Sequence, residues 1–164
     1  MARAAKIEVK IRRARLPDVG AIIDLTRDFG RAGLMIPLSV GDTLERIRNF
    51  LLAETPDGGL IGCVAVDPAW ELLAEIRSLA VALKFQLRGV GRELLLAALD
   101  DARAFGAREV FSLTYVPDFF RRFGFERMDR NSLPHKVWLV CVKCPKFPDC
   151  GEVAVKMRLA SGAE

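Results

Sequence analysis

The sequence lacks features that would place it in several other classes of protein. Its 164 residues include one histidine, His135, which is too isolated to suggest a catalytic triad. The apolar run at residues 94–99 is far shorter than the roughly 20 residues of a membrane-spanning helix. No apolar segment follows residues 1–6, as a secretory signal would require. The sequence therefore predicts a cytoplasmic protein that does not enter a membrane.

The charge is too evenly spread for a nucleic-acid binder. The 25 lysines and arginines outnumber the 21 aspartates and glutamates, which gives a net charge of +4. A nucleic-acid-binding protein gathers its basic residues on one face and interleaves them with aromatic residues, whereas here they are scattered along the chain. The small excess suits solubility, or the attraction of an anionic cofactor and an acidic substrate.

What the sequence does contain is the composition and periodicity of one α/β domain. Hydrophobic residues make up 51% of the chain and charged residues 28%, as in ordinary globular proteins. Alternating patterns predict strands at residues 7–12, 50–54, 60–66, 74–81, 109–114, from 125, and 152–159. Helical patterns predict helices at about residues 19–29, 41–48, 90–105 and 117–122. Residues 68–70, with Pro68, are expected to end the third strand.

One stretch joins a strand, a glycine-bearing loop and a helix. Apolar residues alternate through residues 79–85, as in a half-buried strand and its exit, and from Val90 they recur at helical spacing. Gly89 and Gly91 stand where the helix begins. A helix start offers unpaired N–H groups and a partial positive charge, and glycine keeps side chains from blocking an anion. The stretch therefore predicts a phosphate-binding loop.

Two common phosphate-binding loops do not match this stretch. The dinucleotide fingerprint needs a third glycine where Leu94 stands, and the loop of nucleotide hydrolases needs a Gly-Lys-Ser/Thr sequence that is absent. The stretch instead contains Gln86-x-x-Gly89-x-Gly91 after a Leu-Ala-Val strand, and residues 119–125 add an aromatic motif that ends in Gly-Phe. In these motifs the chain resembles the GCN5-related N-acetyltransferase (GNAT) superfamily.

The resemblance to the GNAT superfamily implies a fold and a cofactor. The implied fold is a single α/β (α+β) N-acetyltransferase domain over residues 1–164, with a mixed, mostly antiparallel, twisted sheet of about seven strands and helices on both faces. The implied cosubstrate is acetyl-coenzyme A, with its pyrophosphate on the loop amides and its pantetheine arm along the preceding strand. The residues expected to bind it are Leu79, Ala80, Val81, Gln86, Leu87, Arg88, Gly89, Val90, Gly91, Arg92 and Phe120.

Three further segments narrow the resemblance. Residues 31–37, residues 70–81, and residues 133–138 with 144–148 look like the short amino-acid N-acetyltransferases of the N-acetylglutamate synthase type. This similarity implies acetylation of the α-amine of an amino acid, L-glutamate in arginine biosynthesis, by direct transfer in a ternary complex. Leu38 stands where that type typically has arginine. The difference favours an alternative acceptor, such as another amino acid, a polyamine or a protein amine.

The resemblance also suggests catalytic roles. Glu75 resembles the base of related histone acetyltransferases, and burial would raise its pKa toward a useful range; alternatively it pairs with an arginine, and Glu71 is the substitute. The Leu79 N–H is expected to donate to the thioester oxygen. Phe120 stands where many relatives have a tyrosine, which favours a non-catalytic acyl-coenzyme A sensor as a further alternative. No general acid is assigned, because a thiol pKa of about 8.5 lets coenzyme A leave as a thiolate; Tyr115 could reach the site or be structural.

A substrate carboxylate would be recognised by guanidinium or ammonium groups. Arg77 is the first candidate because it shares a strand face with Glu75. Arg31 and Lys136 are the second candidates, and each of the three could instead be a solvated surface charge. The expected partner is thus a small amino-acid substrate, with no nucleic acid or membrane, and a homodimer is left open.

The cysteines allow one more interpretation. Cys141, Cys144 and Cys150, with His135, could supply the ligands of a zinc site. A structural zinc site usually shows two paired ligand motifs, and here there is one. We therefore expect no metal, with reduced thiols in this loop and Cys63 as a small core residue.

Overall fold

A computed structural model describes residues 4–160, apart from the side chain of Lys136. The strands are β1 (Lys10–Arg13), β2 (Phe50–Glu54), β3 (Leu60–Trp70), β4 (Leu73–Val81), β5 (Glu109–Thr114), β6 (Glu126–Arg127) and β7 (Val153–Arg158). The α-helices are α1 (Val19–Arg31), α2 (Val40–Glu45), α3 (Val90–Ala104), α4 (Pro117–Arg121) and α5 (His135–Val142). Among the helices of this described part, none is long and apolar enough to span a membrane.

The strands form one mixed sheet in the order β1-β2-β3-β4-β5-β7-β6. Strands β1 and β2, β2 and β3, β5 and β7, and β6 and β7 pair antiparallel, whereas β4 and β5 are parallel. The predicted seven-stranded, mostly antiparallel sheet is thus confirmed. The chain divides into two compact units, of which the first is Met1–Val66 with Ser78–Asp101 and the second is Asp67–Arg77 with Ala102–Glu164.

The first unit is built on an amphipathic helix packed against strands. In α1 the buried residues Val19, Ile22 and Thr26 recur at helical spacing, and the Thr26 hydroxyl donates to the Ile22 carbonyl at 2.9 Å, so its polar group is satisfied. Helix α3 lies close to β3 because Gly62 has no side chain: a Cβ there would lie 2.7 Å from Leu94 Cδ1. This close approach helps to fix the start of α3. The other buried residues of this core include Ile47, Phe50, Leu52, Cys63, Ala65 and Ala80.

The second unit has an aromatic core. Phe111 is fully buried, with Leu133 and Val137 packed in the same cluster. Phe120 packs edge-on against Phe125, with 5.1 Å between the ring centroids. These contacts pack Val137 of α5 and Phe120 of α4 into the core of the unit.

Several boundaries differ from the sequence prediction. Strand β3 continues through Pro68 to Trp70, where an interruption was expected. The β2–β3 ladder reaches only Ala65, so Pro68 lies beyond it and its missing N–H removes no hydrogen bond of that ladder. Residues 83–85, read as the exit of a strand, form a 3-10 turn, and β1 begins three residues later than predicted, at Lys10.

Helix α5 was not predicted at all. The segment was interpreted through its cysteine spacing, and its apolar residues show no clear helical period. Val137 nevertheless lies buried in the core of the second unit, and Pro134 precedes the first turn, where proline suits a helix start. Tertiary packing rather than local pattern therefore decides this element.

Candidate active site

The loop between β4 and α3 lies wholly in the first unit. Its anchor is Gln86, whose side-chain amide Nε2 donates to the carbonyl oxygen of Val81 at 3.1 Å. The loop ends when the Glu93 N–H donates to the Gly89 carbonyl at 3.1 Å, which is the first turn of α3. Val90 is buried and holds this helix start in the core. The Gln86 side chain thus ties the loop to the end of β4, and Val90 fixes the start of α3.

The backbone of the loop is left-handed at two positions. Gly89 has φ +89°, and Leu87 has φ +61° although it carries a side chain that is 91% exposed. A Cβ on Gly89 would lie 3.5 Å from Lys6 Cγ, which is ordinary van der Waals contact. Its φ is therefore one reason for glycine at position 89, and the prediction that a side chain there would obstruct a ligand stays a prediction.

Strand β4 is distorted just before Leu79. Ser78 has φ +54° within the strand, and its carbonyl oxygen accepts a hydrogen bond from the Cys63 thiol at 3.3 Å. Burial raises the pKa of Cys63 to about 12, so the thiol keeps its proton and acts as a donor. A side chain of the neighbouring strand thus supports the distortion, and Leu79 follows it with a half-buried side chain.

The carboxylate of Glu75 belongs to a small charge network in the second unit. Its Oε1 lies 3.8 Å from Arg77 Nε, and Arg77 Nη1 lies 3.5 Å from Asp67 Oδ2. Glu75 is therefore paired with an arginine, as the alternative interpretation expected. That arginine is the one predicted to bind the substrate carboxylate. Both distances are long for hydrogen bonds, so the guanidinium is engaged mainly through charge.

Glu152 is a carboxyl group that sequence reasoning missed. The sequence predicts only that a strand begins at Glu152, and in the structure this residue directly precedes β7 in the second unit. Burial raises its pKa, while the thiol of Cys150 and the charges of Lys146, Arg130 and Arg77 oppose that rise. The Cys150 thiol donates to Glu152 Oε2 at 3.6 Å. No sequence motif marks this residue, because its environment is set by the segment that precedes β7.

Tyr115, the only tyrosine, is held by a lysine. Lys146 Nζ donates to the Tyr115 phenol oxygen at 2.5 Å and lies 4.4 Å from the ring centroid. This hydrogen bond is the main cause that raises the pKa of Lys146. Gly151 lies near the edge of the same ring, since a Cβ at Gly151 would be 3.5 Å from Tyr115 Cε1. The cysteine-bearing segment thus packs on the residue that follows β5.

The remaining predicted site residues lie in diverse settings. Arg31 is exposed at the end of α1, and Glu71 is exposed in the turn between β3 and β4. Phe120, expected at the cofactor, is 2% exposed inside the aromatic core. Leu38 packs against the core of the first unit. The side chain of Lys136 lies outside the described residues.

The cysteines are all reduced. The Cys144 N–H donates to the Cys141 carbonyl at 3.0 Å, so the two residues share the turn that ends α5. Within residues 4–160, leaving the Lys136 side chain aside, the structure forms no group of three or more histidine, cysteine, aspartate or glutamate side chains suited to a metal ion.

The structure thus places a glycine-bearing loop between a strand of a mixed sheet and the N-terminus of a helix, a position that suits an anionic ligand. Residues 30–125 match the family model described as "Acetyltransferase (GNAT) family". The chain belongs to this GNAT family of acetyltransferases. It is an enzyme with acetyl-coenzyme A as its cosubstrate.

The chain is similar to several known proteins along most of its length. It is 39% identical over 145 residues to an uncharacterised N-acetyltransferase of Chlorobaculum tepidum, covering 88% of this chain and 93% of that protein. It is 32% identical to an amino-acid acetyltransferase of Mycobacterium tuberculosis, covering 78% and 74%. The structure of N-acetylglutamate synthase from Neisseria gonorrhoeae, complexed with coenzyme A and N-acetyl-glutamate, superposes with a TM-score of 0.83 at 27% identity, covering 96% of this chain and 36% of that one.

Proposed function

We propose that residues 1–164 act as one N-acetyltransferase domain that transfers the acetyl group of acetyl-coenzyme A to the α-amine of an amino acid. L-Glutamate is the proposed acceptor, with arginine biosynthesis as the pathway and the cytoplasm as the location. The observation that carries this proposal is the likeness to amino-acid acetyltransferases over most of the chain, including a neighbour that holds coenzyme A and N-acetyl-glutamate.

For the cosubstrate, we propose that the main-chain amides of residues 86–92 bind the pyrophosphate. The proposal is supported by the left-handed Gly89 and by the start of α3, whose unpaired N–H groups and dipole favour an anion. Residues 79–81 are proposed to lie along the pantetheine arm. Phe120 remains a proposed neighbour of the cofactor, although its burial leaves little of its surface for a ligand.

For the chemistry, we propose that the Glu75 carboxylate accepts a proton from the acceptor ammonium. The free amine then attacks the thioester carbon, the C–N bond forms, and the Leu79 N–H donates to the oxyanion of the tetrahedral intermediate. The C–S bond breaks as the carbonyl re-forms and coenzyme A leaves as a thiolate, while the nitrogen loses its remaining surplus proton to water or to that thiolate, which leaves a neutral amide. Glu152 is the second candidate for the base, because burial raises its pKa and so makes its carboxylate a stronger proton acceptor.

Two substitutions separate these candidates. A general base contributes about 100- to 10,000-fold to the rate, so Glu75→Gln should lower kcat by at least about 100-fold, while Glu152→Gln should keep most of it. The opposite ranking would assign the base to Glu152. If both variants keep wild-type kcat, neither carboxylate is the base.

For the acceptor carboxylate, we propose Arg77 first, and Arg31 and Lys136 second. Arg77 is supported by its position beside Glu75, where one guanidinium could orient both a base and a substrate. Arg77→Met should therefore raise the KM for the amino acid much more than the KM for acetyl-coenzyme A. An equal effect on both would indicate a structural role.

A panel of acceptors tests the proposal directly. Acetyl-coenzyme A is incubated with each amino acid, with polyamines and with a lysine peptide, and products are identified by mass spectrometry. N-Acetylglutamate is the expected product; a polyamine or peptide product would support the second candidate, which Leu38 favours. Coenzyme binding without turnover of any acceptor would instead indicate a sensor. Light scattering on the same sample tests the homodimer.

A further inference from the structure

Residues before β1 lie along the loop that is proposed to bind the pyrophosphate. The Ile7 N–H donates to the carbonyl oxygen of Arg88 at 3.3 Å. The stem of Lys6 covers Gly89, since a Cβ at that position would lie 3.5 Å from Lys6 Cγ and 3.8 Å from its Cε. Both contacts are within the first unit. Residues 4–9, which we name the N-terminal strap, therefore rest on the loop through a main-chain hydrogen bond and an aliphatic stem.

The strap also brings a cation to the start of α3. Lys6 Nζ lies 3.2 Å from Glu93 Oε1, with the two side chains 72% and 33% exposed. Glu93 is the acidic residue in the first turn of α3. A carboxylate at a helix N-terminus is favoured by the dipole for the same reason as any anion. Its charge therefore opposes a diphosphate that approaches the same end of the helix.

We propose that Lys6 is a positioning residue of the coenzyme site: the strap holds its ammonium on Glu93, and this neutralisation lets the loop accept the diphosphate of acetyl-coenzyme A. The inference rests on the proposed binding of the pyrophosphate by residues 86–92. It assigns to Lys6 an effect that passes through Glu93 and requires no contact between Lys6 and the phosphates. It also explains how a carboxylate in the first turn is compatible with a diphosphate at the same end of the helix.

A double-mutant cycle tests this neutralisation. Dissociation constants for coenzyme A are measured by calorimetry at low ionic strength for the wild type, Lys6→Ala, Glu93→Gln and the double variant. Lys6→Ala should weaken binding about twofold to fivefold, the range expected for an exposed charge pair. The double variant should bind like Glu93→Gln, because no carboxylate is left to neutralise. An equal loss in both backgrounds would mean that Lys6 acts on the phosphates directly, which overturns the proposal.

Salt and a truncated substrate provide further controls. The loss caused by Lys6→Ala should shrink at high ionic strength, because exposed charges are screened within about 10 Å at 0.1 M salt. S-Acetylpantetheine lacks the diphosphate, so its dissociation constant should be the same for the wild type and Lys6→Ala. A matching loss with S-acetylpantetheine would show that the substitution disturbs the fold or the arm instead, and would overturn the proposal.

These measurements use coenzyme binding alone, so they do not depend on the acceptor. If the wild type binds coenzyme A and Lys6→Ala binds it equally well, only the role of Lys6 is wrong. If the wild type does not bind coenzyme A, the proposed loop function is wrong and the inference falls with it. Failure to acetylate glutamate, with normal coenzyme binding in all variants, would affect only the proposed acceptor.

Discussion

Gly89→Ala and Gly58→Ala form a matched pair that tests the loop. Both glycines have φ +89°, and both lie in the first unit. A Cβ at Gly58 would meet nothing within 4 Å, and a Cβ at Gly89 would meet only the Lys6 stem, at 3.5 Å and beyond. Neither alanine therefore clashes, and each has mainly the conformational cost of a left-handed L-residue, about 1–2 kcal/mol. The main difference between the two substitutions is that only position 89 lies in the loop proposed to bind the pyrophosphate.

The strain at position 58 should appear wholly as lost stability. Gly58→Ala should lower the free energy of unfolding by about 1–2 kcal/mol and leave coenzyme affinity unchanged. At position 89 the cost of the strain is divided between a loss of stability and a loss of coenzyme affinity. If the free loop keeps its left-handed φ, stability falls; if it relaxes, the strain returns on binding, and affinity falls by up to about 5- to 30-fold.

The test is the sum of two free-energy losses. Urea unfolding gives the loss of stability of Gly89→Ala without ligand, and calorimetry with coenzyme A gives its loss of affinity. Together they should equal the stability loss of Gly58→Ala. A sum near zero would refute the requirement for a left-handed residue at position 89. An affinity loss far above 30-fold would show that the Cβ obstructs the phosphate, as the sequence first suggested.

Three other predictions concern packing and ionisation. Gly62→Ala should lower the free energy of unfolding in urea by about 1–3 kcal/mol, because its Cβ would lie 2.7 Å from Leu94 Cδ1. As a control, Gly20→Ala should raise it by about 0.4–1 kcal/mol, because a Cβ there would meet nothing within 4 Å. Burial raises the pKa of Glu152 above its ordinary 4.5, so the native state resists ionisation and stability falls as pH rises through the native pKa. Glu152→Gln should therefore gain stability over the wild type at pH 8 but not at pH 4, and equal gains at both would contradict the shift. Burial raises the pKa of Cys63 to about 12, so a thiol reagent at pH 8 should modify the other cysteines first and Cys63 only on unfolding.

The loop could be predicted from the sequence because its requirements are local. Gln86 and Gly89 lie three positions apart, and the change from an alternating to a helical pattern at Val90 marks the start of α3. The boundaries of β2 and β5 were predicted to the residue for the same reason. In each case, the residues that determine the conformation are neighbours in the chain.

Several polar contacts of the second unit could not be predicted in this way. Lys146 and Tyr115, which share a hydrogen bond, are 31 positions apart, and Arg77 and Asp67 are joined across the turn between two strands. The raised pKa of Glu152 depends on burial, which no motif in the sequence records. Long-range packing sets these environments, and a single sequence gives little information about it.

The identity of the acceptor depends on which cationic side chain of the protein can bind a substrate carboxylate. Leu38 packs against the core of the first unit, so position 38 supplies no charge to a substrate. Arg77 lies between two carboxylates, Glu75 and Asp67, and a substrate carboxylate must share it with them. An acceptor that also brings an ammonium group to the same carboxylates offsets the repulsion between them and its own carboxylate. An α-amino acid carries both groups on one carbon, whereas a polyamine has no carboxylate for Arg77, so the proposed role of Arg77 is consistent with an amino acid as acceptor.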